Sequence, residues 1–328
     1  MARVQAGAVR KGRAGLGPTG PLDRRGRIVV SVREGIEPRL VSPELVGRDA
    51  ELSTLARLIG TVANGSAATL IVSGEAGMGK TALLARAREI GRRSGLRVLR
   101  GDCVRFEMGR AFGPFVDALR SVRDHPAAAA ALAAAPGDAR SSAGAADRYQ
   151  AHAMFVRAFA AIAEERPVLL AIDDLHWADE STLELFAHLS RRLPRGSLLV
   201  GTYRPEEVQR RPALRRSIAD LARERTWELS LHRLTASEVG RVLRLILGQG
   251  ARVSVETREI LQATCAGNPL FLEEILRALA HRGELRQVDG EWRLGRIRHV
   301  PLPASVQEAV RERLGALDPG AREIMLLA

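Results

Sequence analysis

The octapeptide GEAGMGKT at residues 74–81 has the composition and spacing of a phosphate-binding loop. It follows the apolar run 69–73, which predicts a buried strand, and it precedes a helical pattern over 80–91. Glycines in such a turn allow positive φ and bring backbone N–H groups close to phosphate oxygens. We expect positive φ at Gly74, Gly77 and Gly79, and we predict that the whole loop binds the phosphates of a nucleotide: Gly74, Glu75, Ala76, Gly77, Met78, Gly79, Lys80 and Thr81.

The lysine of this loop is one of only two lysines, Lys11 and Lys80, among 50 basic residues. A slender lysine stem can pass through the loop and bring a compact ammonium group to the β- and γ-phosphates. The planar guanidinium of arginine would not fit that path. Phosphate binding therefore explains why a chain that prefers arginine has lysine here. The neighbouring Thr81 supplies a hydroxyl suited to Mg²⁺.

A pair of acidic residues, Asp173 and Asp174, ends a second apolar run, VLLAI. We predict that Asp173 binds Mg²⁺ through water and that Asp174 orients or activates the attacking water. The alternative is a solvated pair that caps the next helix, a role that suits Asp179 better. His176 is expected to pack or to hydrogen-bond locally.

Two polar residues, Thr202 and Arg204, follow a further apolar run at 197–201. A polar residue in this position can sense the γ-phosphate, and an arginine can stabilise its charge. Both are therefore catalytic candidates together with Asp174. Arginine is so common in this chain that Arg204 taken alone is a weak signal.

Short apolar runs alternate with helical patterns along the middle of the chain, which predicts an α/β fold with a parallel sheet covered by helices on both faces. Residues 124–146 are rich in alanine and predict either a surface insertion or an alanine-rich helix. The strand predictions are 69–73, 97–102, 168–172, 197–201 and 227–231, and the helix predictions include 80–91, 147–165 and 180–193.

After residue 234 the strand pattern stops and helices dominate. Thr235 and Glu238 have the spacing of a capping box, and Asp289-Gly290 predicts a hairpin. Further helices are predicted at 254–265, 269–282 and 304–316. The resulting domain prediction is a disordered basic arm at 1–40, a core at 41–233, a helical lid at 234–283 and a winged-helix-like segment at 284–328, which we expect to be truncated.

The formal net charge is +12 at pH 7. Residues 1–40 contain nine Lys and Arg against three Asp and Glu, a net of +6. Such a charge suits nucleic acid or anionic lipid, but a general bias towards arginine explains it equally well. We therefore expect contact with DNA only indirectly or through a C-terminal domain that is missing from these residues.

Cys103 and Cys265 provide neither a disulfide framework nor a metal-ligand spacing, which fits a reducing compartment. The N-terminal segment lacks the apolar core of a signal peptide. Uncharged stretches such as HPAAAAALAAAPG are all shorter than the roughly 20 apolar residues of a membrane span. The expected location is the cytoplasm, with no membrane partner.

Five segments together resemble the ATPase module of STAND-class signal-transduction ATPases, which belong to the AAA+ superfamily: LVGRDAEL, GEAGMGKT, LLAIDDLHWAD, LVGTYRPEE and GNPLFLEEIL. The resemblance covers about residues 44–328 and is strongest to the large ATP-binding LuxR-type transcriptional regulators. It implies a P-loop NTPase fold with ATP or ADP and Mg²⁺ as ligands. It also implies that Val46, Gly47 and Arg48 contribute to the adenine pocket, that Pro269 packs near the base, and that Arg204 is a sensor arginine.

Three functions remain open on this basis. The first is a slowly hydrolysing ATPase switch in which the position of the lid reports the bound nucleotide, with nucleotide-dependent self-association as a possible accompaniment. The second is a nucleotide-gated scaffold or DNA-binding regulator with little hydrolysis, and the third is an AAA+ ATPase like those of replication initiation. The helical repeats and helix-turn-helix of LuxR-type members are not found in these residues, so the resemblance assigns no output.

Overall fold

The computed structural model describes residues 41–135, 145–224, 226–248 and 251–295. The predicted arm at 1–40 and the predicted helix at 304–316 lie outside the described residues. The winged-helix interpretation, which depends on that helix, stays a prediction.

A five-stranded sheet forms the centre of the fold. Its strands are β1 (Ala67–Ser73), β2 (Arg97–Asp102), β3 (Val168–Asp173), β4 (Ser197–Tyr203) and β5 (Thr226–Ser230). Neighbouring strands run parallel in the order β2-β3-β4-β1-β5. All five predicted strands are present, each within two residues of the predicted bounds.

The helices around this sheet are α1 (Asp49–Ala63), α2 (Lys80–Arg93), α3 (Gly113–Arg120), α4 (Pro126–Ala134), α5 (Ala145–Glu165), α6 (Glu180–Arg191), α7 (Pro205–Val208) and α8 (Pro212–Arg223). Short 3-10 turns cover Arg105–Glu107 and Leu175–Trp177. The prediction of an α/β fold is confirmed. The sequence patterns at α3 and α8 had not been assigned.

Helices cover both faces of the sheet and form two hydrophobic cores. On one face, Leu55 and Leu83 from α1 and α2 pack against β-strand residues such as Leu70. On the other, Phe115 and Phe155 belong to a cluster contributed by α3 to α6 and α8. Each fully buried side chain of this size stabilises the fold by roughly 1.5–3 kcal/mol relative to exposure. The cores therefore fix the carboxyl edge of the sheet, where the candidate residues lie.

The alanine-rich segment forms part of the second core. Residues 126–134 are the helix α4, and Ala128 and Ala131 are completely buried. The alternative of an alanine-rich helix is confirmed for residues 126–134, and the helix lies at the surface with one face packed inward, because Ala129, Ala130 and Ala133 are exposed. The part of the predicted segment at 136–144 lies outside the described residues. Small side chains allow α4 to approach its neighbours closely, so alanine here serves packing.

A second, smaller group of elements follows β5. It consists of α9 (Ala236–Leu247), β6 (Arg252–Val253), α10 (Val255–Cys265), α11 (Pro269–His281), β7 (Leu285–Val288) and β8 (Glu291–Leu294), which we call the small unit. Its three strands are ordered β6-β8-β7. It has a core of its own, which includes Leu243, Leu272 and Trp292.

Two local predictions in the small unit are confirmed. Thr235 and Glu238 form a capping box at the start of α9. The β7–β8 hairpin turns at Asp289 and Gly290, whose φ angles are 53° and 75°, as a two-residue hairpin turn requires. Within the described residues, no helix is long and apolar enough to cross a membrane.

Candidate nucleotide-binding site

The predicted phosphate loop connects β1 to α2. Gly77 and Gly79 have φ angles of 80° and 89°, a region that glycine enters without strain. Gly79 is the N-cap of α2, so the helix begins at Lys80. The free N–H groups and the dipole of this helix N-terminus favour a bound anion.

Gly74 differs from the expectation because its φ is not positive. A Cβ atom at this position would lie 3.1 Å from Cβ of Leu231, just after β5. The expected positive φ is wrong for Gly74. Close packing against the neighbouring segment explains the glycine instead.

The ammonium group of Lys80 is held by its own loop. Nζ donates to the carbonyl oxygens of Gly74 at 2.6 Å and of Glu75 at 3.0 Å, and the residue is only 6% exposed. Burial, reinforced by the charge of Arg204, lowers the pKa of Lys80 to about 8. This lysine is therefore close to losing its charge when no anion is bound.

The lowered pKa predicts that nucleotide affinity depends on pH. Bound phosphate favours the charged lysine and raises its pKa, so binding takes up a proton above pH 8. We expect affinity to be independent of this group below pH 8 and to fall as the pH rises through 8, by up to about tenfold per pH unit. Calorimetric titration with ADP between pH 7 and 9.5 measures this.

The control for this titration is Lys11→Arg, which leaves Lys80 as the only lysine of the chain and should give the same pH profile. An affinity that stays constant up to pH 9.5 in the wild-type protein would contradict the assignment of Lys80 to the phosphates.

The acidic pair lies at the end of β3 and is organised by β4. The hydroxyl of Thr202 donates to Oδ1 of Asp173 at 2.5 Å, and it accepts from the backbone N–H of Asp174 at 2.8 Å. Asp173 and Thr202 are both buried. Thr202 thus contacts the acidic pair, whereas it does not line the cavity described below.

Asp174 has different surroundings from Asp173, because Asp174 lines the cavity described below and Asp173 does not. The backbone of Asp174 has a φ of 56°, in the left-handed region where Asp and Asn are tolerated better than most residues. Burial, reinforced by the charge of Asp173, raises the pKa of the Asp174 carboxyl. A raised pKa makes the Asp174 carboxylate a better proton acceptor than an ordinary aspartate.

One cavity of about 740 Å³ brings most of the predicted site residues together. Its lining includes ten of them: Val46, Arg48, Gly77, Met78, Gly79, Lys80, Thr81, Asp174, Arg204 and Pro269. The other six predicted residues do not line it: Gly47, Gly74, Glu75, Ala76, Asp173 and Thr202.

The side chain of Arg48 joins the phosphate loop to a distant segment, a contact that was not predicted from the sequence. The residue is 5% exposed, and its Nη2 donates to the carbonyl oxygens of Met78 at 3.2 Å and His232 at 2.7 Å. The phosphate loop is thereby fixed to the segment after β5. Beside it, a Cβ on Gly47 would lie 2.4 Å from a carboxylate oxygen of Glu238, so a larger residue would displace that carboxylate from the capping box of α9.

The small unit closes the apolar end of the cavity. Val46 shares a hydrophobic cluster with residues of α9 to α11. Leu234, Val242 and Leu270 line the cavity with Pro269, and these three were not predicted from the sequence. Apolar side chains around a slot of this kind suit a planar base. The only signal for Val242 and Leu270 in the sequence was helical periodicity, which is equally typical of core residues, and Leu234 lies outside any helix, between β5 and α9.

Asn268 is a further residue that sequence reasoning did not assign to the site. Its Oδ1 accepts from the N–H groups of Leu270 and Phe271 and so caps α11. Its Nδ2 donates to the carbonyl oxygen of Ala76 in the phosphate loop at 2.9 Å. An asparagine before proline was recognisable as a helix start, but the contact across 192 positions was not.

The residues present fit Mg²⁺. This ion is usually held by one or two carboxylates, substrate phosphates and water rather than by a complete cage of protein ligands. Among the described residues no cluster of three or more His, Cys, Asp or Glu side chains could hold a metal. The hydroxyl of Thr81 at the cavity and the carboxylate of Asp173 are the kind of incomplete donor set that Mg²⁺ uses beside a nucleotide.

Residues 44–200, just under half of the chain, match the family described as AAA ATPase domain. This segment is therefore similar to AAA ATPase domains, and we call residues 44–200 the module. The match extends from Glu44, which lines the cavity, through the phosphate loop and the acidic pair into β4. No curated protein matches the sequence.

The module and the small unit are also similar to solved structures. Aeropyrum pernix ORC2 in its ADP form is 18% identical with a TM-score of 0.52, over 85% of this chain and 72% of that chain. Drosophila ORC bound to DNA is 13% identical with a TM-score of 0.50, over 94% and 71%. Cdc6p from Pyrobaculum aerophilum is 16% identical with a TM-score of 0.49, over 75% and 66%. This chain therefore spans just under two thirds of the length of that Cdc6p. At these identities the likeness concerns the fold alone.

Proposed function

We propose that the chain binds Mg-ATP in this cavity, hydrolyses it slowly, and works as a nucleotide-dependent switch of the STAND class. The observation that carries the proposal is the composition of the cavity. Lys80 and Thr81 on α2, Asp174 after β3, and Pro269 on α11 all line it. Groups suited to the phosphates, to the attacking water and to the base thus meet in one space.

Each residue has a distinct role in the proposed hydrolysis. The loop N–H groups and Lys80 bind the β- and γ-phosphates, while Thr81 and, through water, Asp173 would hold Mg²⁺. The metal would neutralise charge on the phosphate oxygens. Asp174 orients the attacking water and accepts its proton. Arg204, which lines the cavity, stabilises the charge that develops on the transferred phosphoryl group.

The switch part of the proposal rests on contacts between the loop and the small unit. Asn268 donates to Ala76, and the N–H of Leu270 donates to the carbonyl oxygen of Gly77 at 3.4 Å. Arg233, between β5 and α9, pairs with Glu75 at 2.9 Å. Because α11 begins directly on the phosphate loop, a change of loop conformation on nucleotide exchange would move the small unit as a lid.

The experiment that tests the function combines binding, turnover and mass. We expect micromolar or tighter binding of ATP and ADP, phosphate release that requires Mg²⁺, and a larger mass by light scattering with ATP than with ADP. Absence of nucleotide binding would refute the proposal. Equal mass with both nucleotides would refute the self-association part of it while leaving hydrolysis intact.

Asn268→Ser tests the lid contact. Serine caps helices as well as asparagine does, but its side chain is too short to reach Ala76. We expect little change in thermal stability and faster hydrogen exchange in the first turn of α11 by roughly fivefold, which corresponds to one neutral hydrogen bond. The difference in exchange between the ATP and ADP states should shrink. An unchanged difference in the serine variant would show that this contact does not transmit the nucleotide state.

A second candidate is a DNA-binding AAA+ ATPase of the replication-initiation kind. It is favoured by the net charge of +12 and by the similarity in fold to Drosophila ORC bound to DNA. Fluorescence anisotropy with duplex DNA at two salt concentrations tests it, because phosphate contacts weaken steeply with salt. Deletion of residues 1–40 removes a net charge of +6 and separates binding by that segment from binding by the module.

A further inference from the structure

His176 lies directly beside the acidic pair, in the turn Leu175–Trp177. The side chain is completely buried, and its Nδ1 is 3.6 Å from Oδ1 of Asp174. Neither ring nitrogen has a hydrogen-bond partner within the described part of the chain. An unpaired polar atom in the interior is destabilising, so such a residue calls for a functional explanation.

The position of the ring is fixed by its neighbours. Arg211, ahead of α8, donates from one guanidinium nitrogen to the carbonyl oxygen of His176 and from the other to that of Ala178 at 2.7 Å. The indole of Trp177 packs against the imidazole at a tilt of 48°, with 4.8 Å between ring centroids. The backbone of the turn and the plane of the imidazole are thus both held while the two nitrogens have no partner.

The surroundings keep this imidazole neutral. Burial, with the positive charges of Arg204, Lys80 and Arg211, lowers the pKa of His176 to about 2. A neutral imidazole carries one N–H donor and one acceptor nitrogen. Because a carboxylate only accepts, the tautomer that suits this neighbourhood has its proton on Nδ1, the nitrogen that faces Asp174.

We propose that His176 is a positioning residue for the hydrolysis reaction: its Nδ1–H donates to Oδ1 of Asp174 and holds that carboxylate towards the attacking water. The inference rests on the proposed function of the site. The contact of 3.6 Å needs to shorten by less than 1 Å to become a charge-assisted hydrogen bond of about 2.7–2.9 Å, and catalytic contacts of this kind are commonly long before substrate binds. Neither bond making nor proton transfer at His176 is required.

Two substitutions of His176 distinguish the effect of losing the N–H donor from the effect of losing the volume of the ring. His176→Phe keeps a planar ring and removes both nitrogens. His176→Asn places an amide N–H close to the position of Nδ1. We expect Phe to lower kcat by about 10–100-fold, the effect of losing a hydrogen bond to a charged group, with an unchanged Kd for Mg-ATP. Asn should recover most of the turnover. The matched control is His188→Phe, a partly buried histidine on α6, which should leave turnover unchanged.

The double variant Asp174→Asn/His176→Phe decides whether the histidine acts through Asp174. If it does, His176→Phe causes no further loss in the Asp174→Asn background, because residues that act as one unit are not additive. An equal loss in both backgrounds would overturn the proposal, as would wild-type turnover in a folded His176→Phe protein that binds Mg-ATP.

Should the Phe variant fail to fold, His176→Gln replaces it, since glutamine moves the amide towards the position of Nε2 and should not restore turnover. Wild-type turnover in that variant would equally overturn the proposal. A wild-type chain that binds ATP without hydrolysing it would instead overturn the proposed function, and the inference with it.

Discussion

An Asp174→Asn variant is expected to bind Mg-ATP as the wild-type protein does and to lose about 10²–10⁴-fold in turnover, the range typical of removing a general base. The carboxylate lines the cavity, and burial beside Asp173 raises its pKa. Asparagine keeps the shape of the side chain but cannot accept the proton. Asparagine also tolerates the left-handed backbone at this position, where φ is 56°, so the variant should fold.

Asp173→Asn should behave differently. Asp173 is buried and accepts from the hydroxyl of Thr202, and its proposed partner is Mg²⁺. We expect this variant to lose both turnover and the Mg²⁺ dependence of ATP binding. Phosphate release and calorimetry with and without Mg²⁺ measure the two effects separately.

Asp179→Asn is the matched control for both substitutions. Asp179 caps α6 by accepting from Ser181 and Thr182, and asparagine is an equally good N-cap. Turnover should therefore be unchanged. If Asp174→Asn also keeps wild-type turnover, Asp174 has no catalytic role and another group must activate the water.

Replacement of Lys80 should abolish tight nucleotide binding whether the new residue is alanine or arginine. Alanine removes a charge-assisted bond to phosphate, which corresponds to a loss of about 10–150-fold in affinity. Arginine keeps the charge, but its planar guanidinium must enter the space where Nζ lies between the carbonyl oxygens of Gly74 and Glu75, at 2.6 and 3.0 Å. We expect Lys80→Arg to bind at least tenfold more weakly than the wild-type protein.

Calorimetry with ATP and ADP measures the loss, and Arg86→Lys on the same helix is the matched control. Arg86 forms a surface ion pair with Glu89, and such pairs contribute little to stability, so exchanging the two cations there should leave affinity unchanged. Wild-type affinity in Lys80→Arg would show that the loop requires only a positive charge and not the geometry of lysine.

Much of the fold follows from local patterns in the sequence. The five strands and the helices after the loop and the acidic pair were predictable because a buried parallel strand is a short apolar run, and helix starts carry their own signals at Asp179 and Thr235. The phosphate loop was predictable for the same reason. Its glycines, lysine and threonine are adjacent in the chain, so one segment contains the whole pattern.

Other local patterns were ambiguous. Alanine suits both a low-complexity linker and a close-packed helix, and only the presence of α3 and α5 decides that one face of α4, with Ala128 and Ala131, is buried. Gly74 showed the same ambiguity, since a glycine needed for space beside Leu231 and a glycine needed for positive φ are identical in sequence.

The assembly of the site was decided by the tertiary structure. The strand order places β4 between β1 and β3, which brings Thr202 under the acidic pair although 28 positions separate it from Asp174. The contacts from Asn268 to Ala76 and from Arg48 to His232 join segments 192 and 184 positions apart. Sequence periodicity reports only which face of an element is buried. It contains no information on which distant element covers that face, because that choice depends on the packing of the whole chain.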